Sequence, residues 1–140
     1  MSRLVVHIGT HKTATTHVQD TLYKNTDLLA RHGVVFPHVG SNRGHHGLVC
    51  AFFDIPAPYG MPHADALAAW DNLVAQHGTS DRTVFVSSEE FSRMFGRRVD
   101  MTHLRRIADG FDSATIVCTL RNQAGFLQSV YQQISDDRHP

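Results

Sequence analysis

Residues 4–16 read LVVHIGTHKTATT, an apolar run that ends at Gly9 and continues as a loop of small hydroxyl residues around Lys12. A short apolar run bounded by glycine predicts a buried strand, and apolar residues at helical spacing farther along predict that a helix follows the loop. Such a loop gathers backbone N–H groups at the positive end of the helix dipole, where an anion is favoured. Lys12 adds a full positive charge. The stretch therefore predicts a phosphate-binding strand, loop and helix.

The helix after the loop is predicted from Val18, Leu22 and Leu29, which recur at spacings of four and seven. Thr16 and Gln19, three positions apart, fit a capping box at its start. The helix is expected to end near residue 31, where a basic turn precedes a glycine.

The rest of the chain alternates between apolar runs and amphipathic stretches. The apolar runs predict strands at residues 34–36, 82–87 and 114–120. The amphipathic stretches predict helices at residues 63–77, 101–109 and 122–135, the last with Phe126, Val130 and Ile134 facing inward. The Gly- and Pro-rich residues 38–62 are expected to be irregular, with a short helix near residues 48–53. This order predicts an α/β fold with a mainly parallel sheet flanked by helices.

Length and charge limit the class of protein. The 140 residues, 41% of them hydrophobic, are enough for one domain with a real core, which we take to span residues 1–140. The formal net charge is zero, so a nucleic-acid binder that relies on a basic field is not expected. No apolar run reaches the roughly 20 residues that cross a bilayer, and no secretory signal is recognised, so a cytoplasmic protein is expected.

The metal-ligating residue types do not form a recognisable site. Cys50 and Cys118 are expected to be reduced, with Cys118 buried in its strand. The eleven histidines are scattered and have no zinc-finger or zincin spacing, so no metal is expected.

The loop from Gly9 to Thr16 resembles the phosphosulfate loop of the sulfotransferases that use 3'-phosphoadenosine 5'-phosphosulfate as donor. It is not a Walker A loop, because His11 and not glycine precedes Lys12. The sulfotransferase pattern usually has proline at the position of His11 and glycine at that of Ala14. Alanine is costly there if the backbone needs a positive φ.

A second motif lies near the other end of the chain. Arg121, Ser129 and Tyr131 form an Arg-x7-Ser-x-Tyr pattern that resembles the 3'-phosphate motif of the same sulfotransferases. An arginine fork at the end of a strand binds phosphate oxygens bidentately, and a hydroxyl on the next helix adds a further bond. The resemblance implies a P-loop-like architecture of which the carboxyl-terminal portion is missing, since members of the family are usually longer. It implies donor binding by Gly9, Lys12, Thr13, Ala14, Thr15, Thr16, Arg121 and Ser129.

The resemblance also implies an activity, the transfer of a sulfuryl group to a hydroxyl or amine of a carbohydrate or small-molecule acceptor. Lys12 would neutralise charge on the leaving 5'-phosphate. The family places a base at the end of a central strand, which matches Glu89, with Glu90 as its neighbour and competitor. His45 and His46 are further candidates for the base or for acceptor contacts.

Lys12, Glu89 and Arg121 each follow a predicted strand. Because ligands bind beyond the carboxyl ends of parallel strands, these three residues are expected to face one crevice.

Two other functions fit the same residues. One is a nucleotide or small-molecule kinase with a degenerate phosphate loop, which would need a Walker B aspartate at the end of a strand. The other is a non-catalytic nucleotide-binding or assembly module, truncated and covered by a partner chain along an exposed sheet edge. Formation of a homodimer would support this alternative.

Overall fold

The computed structural model describes residues 1–40, 43–53, 55, 59–93 and 101–136, and for Met101 the backbone alone. The chain folds as an α/β protein with a four-stranded, all-parallel sheet and helices, so the predicted α/β class with a mainly parallel sheet is confirmed. Its elements, in chain order, are β1 (Arg3–Gly9), α1 (Thr15–Lys24), α2 (Thr26–Arg31), β2 (Val34–Val35), α3 (His46–Val49), α4 (His63–His77), β3 (Thr83–Ser87), a 3-10 helix (Glu89–Ser92), α5 (Met101–Asp109), β4 (Ser113–Cys118) and α6 (Gln123–Asp136).

The sheet has the strand order β2-β3-β1-β4, with β1 between β3 and β4. Val5 of β1 lies opposite Phe85 of β3 and Thr115 of β4. The connection from β1 leads to the β2 edge, whereas the connection from β3 passes β1 to reach the β4 edge. The strand order therefore reverses next to β1, and such a reversal opens a crevice at the carboxyl ends of the strands.

One face of the sheet forms the hydrophobic core. Leu4 and Val6 of β1 lie beside Val84 and Val86 of β3, because alternate residues of a strand point to the same face. Trp70 of α4 packs into this core with 1% of its surface exposed, and its indole N–H donates to the carbonyl of Leu48 at 3.0 Å. Other buried members of the core are Cys50, Ala51, Phe52, Ala66, Leu73, Ile107 and Phe111.

Most predicted elements lie close to their predicted positions. Helices α4 and α5 have the predicted bounds, and α3 lies within the stretch expected to be irregular. Residues 41–42, 54 and 56–58 of that stretch lie outside the described residues, as do residues 137–140 at the end of the chain.

The predicted first helix is wrong in two respects. It is two helices, α1 and α2, separated at Asn25. Its predicted capping box does not form, because Ala14 is the N-cap residue and makes no side-chain capping bond. Thr16 is exposed, and Gln19 is buried and points towards β3, where it donates to Ser87.

The fourth strand is more exposed than its sequence predicted. All six residues of β4 are exposed, including Ile116 at 63% of its surface, although Ile116 lies on the same face as Val6. Cys118 is exposed, which corrects the expectation of a buried thiol, and Cys50 is buried. Helix α6 has no buried residue, and Ile134 on its predicted inward face is 48% exposed. The helices that bury β1 and β3 therefore leave the β4 edge uncovered.

The helices are short compared with the thickness of a bilayer. Among the described residues, none combines the length and the apolar content that a membrane-crossing helix needs.

Candidate functional site

The loop between β1 and α1 has three residues with a left-handed backbone: Gly9 at φ 64°, Lys12 at φ 66° and Ala14 at φ 62°. At Gly9 no side chain fits, because a Cβ would lie 2.8 Å from Cγ2 of Thr15 and 3.0 Å from Cβ of Glu89. The left-handed conformation is uncommon for residues other than glycine, asparagine and aspartate, and each such residue costs about 1–2 kcal/mol. Strained backbone of this kind clusters at functional sites, where the surrounding structure holds it in place.

The loop leaves the start of α1 open. Because Ala14 offers no capping side chain, the first N–H groups of α1 have no side-chain acceptor at the N-cap. Two hydrogen bonds hold the loop itself in place. Thr13 donates its hydroxyl to the carbonyl of Thr10 at 2.6 Å, and the Thr10 N–H donates to the carbonyl of Thr119 at 3.1 Å. The N-terminus of α1 therefore presents open donors beside a fixed loop, which favours an anion.

The two sequence motifs meet at this loop. Arg121, which follows β4, donates from Nη1 to the carbonyl of Lys12 at 3.2 Å. Lys12, Arg121 and Ser129 line one cavity of about 430 Å³, which we call the loop cavity. Its complete lining is His11, Lys12, Ala14, Thr15, Thr16, Glu89, Arg121, Ser129 and Gln133. Six of the eight predicted donor-binding residues thus come together, whereas Gly9 and Thr13 shape the loop without lining the cavity.

The charges around the loop cavity favour a ligand with more than one anionic group. Lys12 and Arg121 contribute two positive charges, and the open end of α1 adds a partial positive charge. Glu89 is the one carboxylate in the lining. Tyr131, the last residue of the second motif, is 73% exposed and is not part of the lining.

Glu89 occupies the boundary between two cavities. It begins the 3-10 helix that follows β3, and Ser88 caps that helix by accepting from the N–H of Glu90 at 3.2 Å. The amide of Gln19 donates to Oε2 of Glu89 at 3.0 Å. Besides the loop cavity, Glu89 and Thr16 line a second, larger cavity of about 600 Å³, which we call the side cavity. Its lining is Thr16, Gln19, Asp20, Arg43, Gly44, His46, Tyr59, Glu89, Glu90 and Arg93.

Glu90 has different surroundings from its neighbour. Its carboxylate pairs with Arg93 at 3.2 Å and lies 3.7 Å from Nε2 of His11. It lines the side cavity and is absent from the lining of the loop cavity. Burial is the main cause that lowers the pKa of His11, Arg93 lowers it further, and Glu90 acts in the opposite direction.

The two adjacent histidines are separated by the fold. His45 is buried, with 1% of its surface exposed; its Nδ1 accepts from the N–H of Ser87 at 3.0 Å and its Nε2 donates to the carbonyl of Pro37 at 2.7 Å. Burial lowers the pKa of His45 to about 4, so the ring is neutral at pH 7. It lines neither cavity, whereas His46 lines the side cavity with its Nδ1 2.8 Å from the hydroxyl of Ser88.

A buried polar network under the loop was not expected from the sequence. His7 of β1 contacts the hydroxyl of Ser87 through Nδ1 at 2.8 Å and the hydroxyl of Thr119 through Nε2 at 2.9 Å. Burial lowers the pKa of His7, partly opposed by the negative charge of Glu89. The network joins the ends of three strands and, through Gln19, reaches Glu89.

A sequence signal for part of this network did exist. Thr15 and Gln19 are one helical turn apart, and they are the two buried residues of α1. Two polar residues on the inward face of a helix indicate a polar environment beneath it, because buried polar groups need hydrogen-bond partners.

The acidic, histidine and cysteine side chains of the described residues do not form a group of three or more that could hold a metal ion. No protein-family model, no curated protein and no solved structure matches this chain.

Proposed function

We propose that the chain is a sulfotransferase-type domain of P-loop-like architecture, which binds 3'-phosphoadenosine 5'-phosphosulfate in the loop cavity and transfers its sulfuryl group to an acceptor hydroxyl. One observation carries the proposal: Lys12 and Arg121, 109 positions apart, are in contact and line one cavity together with Ser129. Each belongs to a different motif that resembles the same family of enzymes.

The loop cavity suits a donor with two separated anionic groups. The 5'-phosphosulfate is assigned to Lys12 and the open N–H groups of α1, and the 3'-phosphate to the guanidinium of Arg121 and the hydroxyl of Ser129. Arginine binds phosphate through two parallel N–H bonds, and lysine acts as a mobile point charge. Two anchors at a fixed distance would hold the donor in one orientation, and such positioning accounts for much of the rate of a bimolecular reaction.

The reaction is an in-line displacement at sulfur. The acceptor oxygen forms a bond to sulfur while the bond from sulfur to the 5'-phosphate oxygen breaks, and the acceptor proton passes to Glu89. The products are a sulfate ester and 3'-phosphoadenosine 5'-phosphate. Lys12 stabilises the charge that develops on the leaving phosphate oxygen, as in phosphoryl transfer.

Glu89 is the preferred base among the four candidates. It is the one candidate that lines both cavities, and Gln19 fixes one of its carboxylate oxygens at 3.0 Å. The carboxylate of Glu90 is paired with Arg93, and both ring nitrogens of His45 are engaged in hydrogen bonds. His46 lines the side cavity but not the loop cavity, so it is less well placed than Glu89 to reach the transferred group.

The first test is calorimetric titration of the chain with 3'-phosphoadenosine 5'-phosphate, with ATP and magnesium as the parallel ligand. We expect binding of the former, weakened roughly tenfold to a hundredfold by Arg121→Ala, because hydrogen bonds to charged groups contribute about 1.5–3 kcal/mol. Arg105→Ala is the matched control, since Arg105 is an exposed arginine on α5 outside the loop cavity. Preference for ATP with magnesium would favour the kinase, and no binding of either would contradict both enzymes.

The second test separates binding from chemistry. Glu89→Gln keeps the size of the side chain and its capacity to accept from Gln19, but it removes the base. We expect an affinity for 3'-phosphoadenosine 5'-phosphate that is equal or higher, because the substitution removes a negative charge from the lining of the loop cavity, together with loss of sulfuryl transfer. Equal activity in Glu89→Gln would assign the base to another residue.

A further inference from the structure

We propose that the side cavity is the acceptor site and that it selects a neutral, polyhydroxylated ring, meaning a carbohydrate without acidic or basic groups. The assignment as acceptor site rests on the proposed function. The selection of a neutral carbohydrate rests on the charges and surfaces of the cavity itself and is tested separately.

The position of the side cavity is that of a second substrate. It shares Thr16 and Glu89 with the loop cavity, so a molecule bound there would lie next to the donor and beside Glu89. Its volume of about 600 Å³ lies within the range of small-molecule sites. A hydroxyl that reaches Glu89 from this side is next to the residue that would accept its proton.

The charges in the side cavity are already paired with one another. Nη1 of Arg43 lies 3.0 Å from the carboxylate of Asp20, and Nη1 of Arg93 lies 3.2 Å from that of Glu90. Neither guanidinium is therefore available as an unopposed partner for an anionic ligand. Glu89 adds a third carboxylate against the two arginines, and this formal excess of negative charge disfavours carboxylated, phosphorylated or sulfated ligands.

The same ion pairs suit hydroxyl groups. A guanidinium has five N–H donors and a carboxylate has about four lone-pair sites, so each pair keeps spare donors next to spare acceptors. A hydroxyl both donates and accepts, and it can therefore bridge the two members of a pair. Hydroxyls of a sugar would bind to Asp20 with Arg43 and to Glu90 with Arg93, while Thr16 adds a hydroxyl of its own.

One aromatic side chain supplies an apolar surface. Tyr59 is 50% exposed and its ring lies 5.4 Å from that of His46 at an interplanar angle of 63°. His46 is held in turn by the hydroxyl of Ser88. An exposed tyrosine ring beside polar groups offers a flat apolar platform with few rotatable bonds, which fits the C–H face of a sugar ring.

The test is saturation-transfer NMR on the full chain, which needs no donor. The probes are methyl glucoside and maltose as neutral sugars, glucuronate and glucose 6-phosphate as anionic sugars, and glucosamine as the cationic sugar. We expect saturation-transfer signals from the neutral sugars, with an affinity that falls at least tenfold in Tyr59→Ala. The affinity should be unchanged in Arg105→Ala, because Arg105 is exposed and lines neither cavity. Arg43→Gln leaves Asp20 unpaired, so this variant is expected to shift the preference towards glucosamine.

Three outcomes would overturn the proposal: stronger signals from the anionic sugars, neutral-sugar signals that are unchanged in Tyr59→Ala, or no neutral-sugar signal with or without 3'-phosphoadenosine 5'-phosphate. The nucleotide is observed in parallel samples. Sugar binding without nucleotide binding would contradict the sulfotransferase function but support a carbohydrate site. Nucleotide binding without sugar binding would support the sulfotransferase function but contradict a carbohydrate site.

Discussion

Replacing Ala14 by glycine is expected to stabilise the protein, although glycine usually destabilises a helix. Ala14 has φ 62° and is exposed, so the substitution removes left-handed strain and loses no packing. The strain is about 1–2 kcal/mol. Glycine also raises the entropy of the unfolded chain, which opposes this gain by about 0.4–1 kcal/mol. The net expectation is a gain of about 0.5–1 kcal/mol in the free energy of unfolding.

The assay is equilibrium unfolding in urea, followed by circular dichroism. With a slope of about 2 kcal/mol/M, the midpoint of Ala14→Gly should rise by roughly 0.3–0.5 M. Ala68→Gly is the matched control, because Ala68 is also exposed but lies inside α4. The free energy of unfolding of Ala68→Gly should fall by about 1 kcal/mol. If Ala14→Gly lowers the free energy of unfolding as much as Ala68→Gly does, then residue 14 has helical geometry and the loop is not strained there.

Three further outcomes follow from the fold. Gly9→Ala should lose about 2–4 kcal/mol in urea unfolding, because it combines a positive φ with a Cβ 2.8 Å from Thr15; a loss below 1 kcal/mol would contradict this close approach. The free energy of unfolding should fall by roughly 3 kcal/mol between pH 6.5 and about pH 4, because the unfolded chain protonates His45 there and the folded protein does not; His45→Gln should reduce that slope. Iodoacetamide should modify Cys118 in the native state and Cys50 only after unfolding, as checked by mass spectrometry; equal labelling of both would refute the burial assigned to them.

The sequence predicted the sheet and the loop well because both depend on local patterns. Short apolar runs bounded by glycine or polar residues gave the strands, and helices α4 and α5 began and ended at the predicted residues. The meeting of Lys12 and Arg121 also followed from the sequence, since carboxyl ends of parallel strands share one edge of a sheet.

The orientation of individual side chains was harder to predict. Thr16 and Gln19 have the spacing of a capping box, but Gln19 is buried because Ser87 and Glu89 offer it acceptors across the fold. Such partners lie about 70 positions away, and no local pattern reveals them. His7 was likewise hidden inside an apolar run, where its hydrogen bonds to Ser87 and Thr119 depend on the strand register.

The exposure of β4 could not be predicted for a similar reason. The apolar residues of the fourth strand are typical of a buried strand. Whether such a strand is covered depends on where the neighbouring helices pack, and in this fold α6 buries none of its residues.

The uncovered β4 makes the edge of the sheet a separate unit of local stability. Within the described residues β4 is hydrogen-bonded to β1 alone, and both of its faces are exposed. Its amide protons should therefore exchange with solvent through local separation from β1, at a lower free energy than global unfolding. Arg121 follows this strand, and Lys12 follows β1. An anion that contacts both residues ties the two strands together, so slower amide exchange in β4 becomes a direct measure of how much of the loop cavity is occupied.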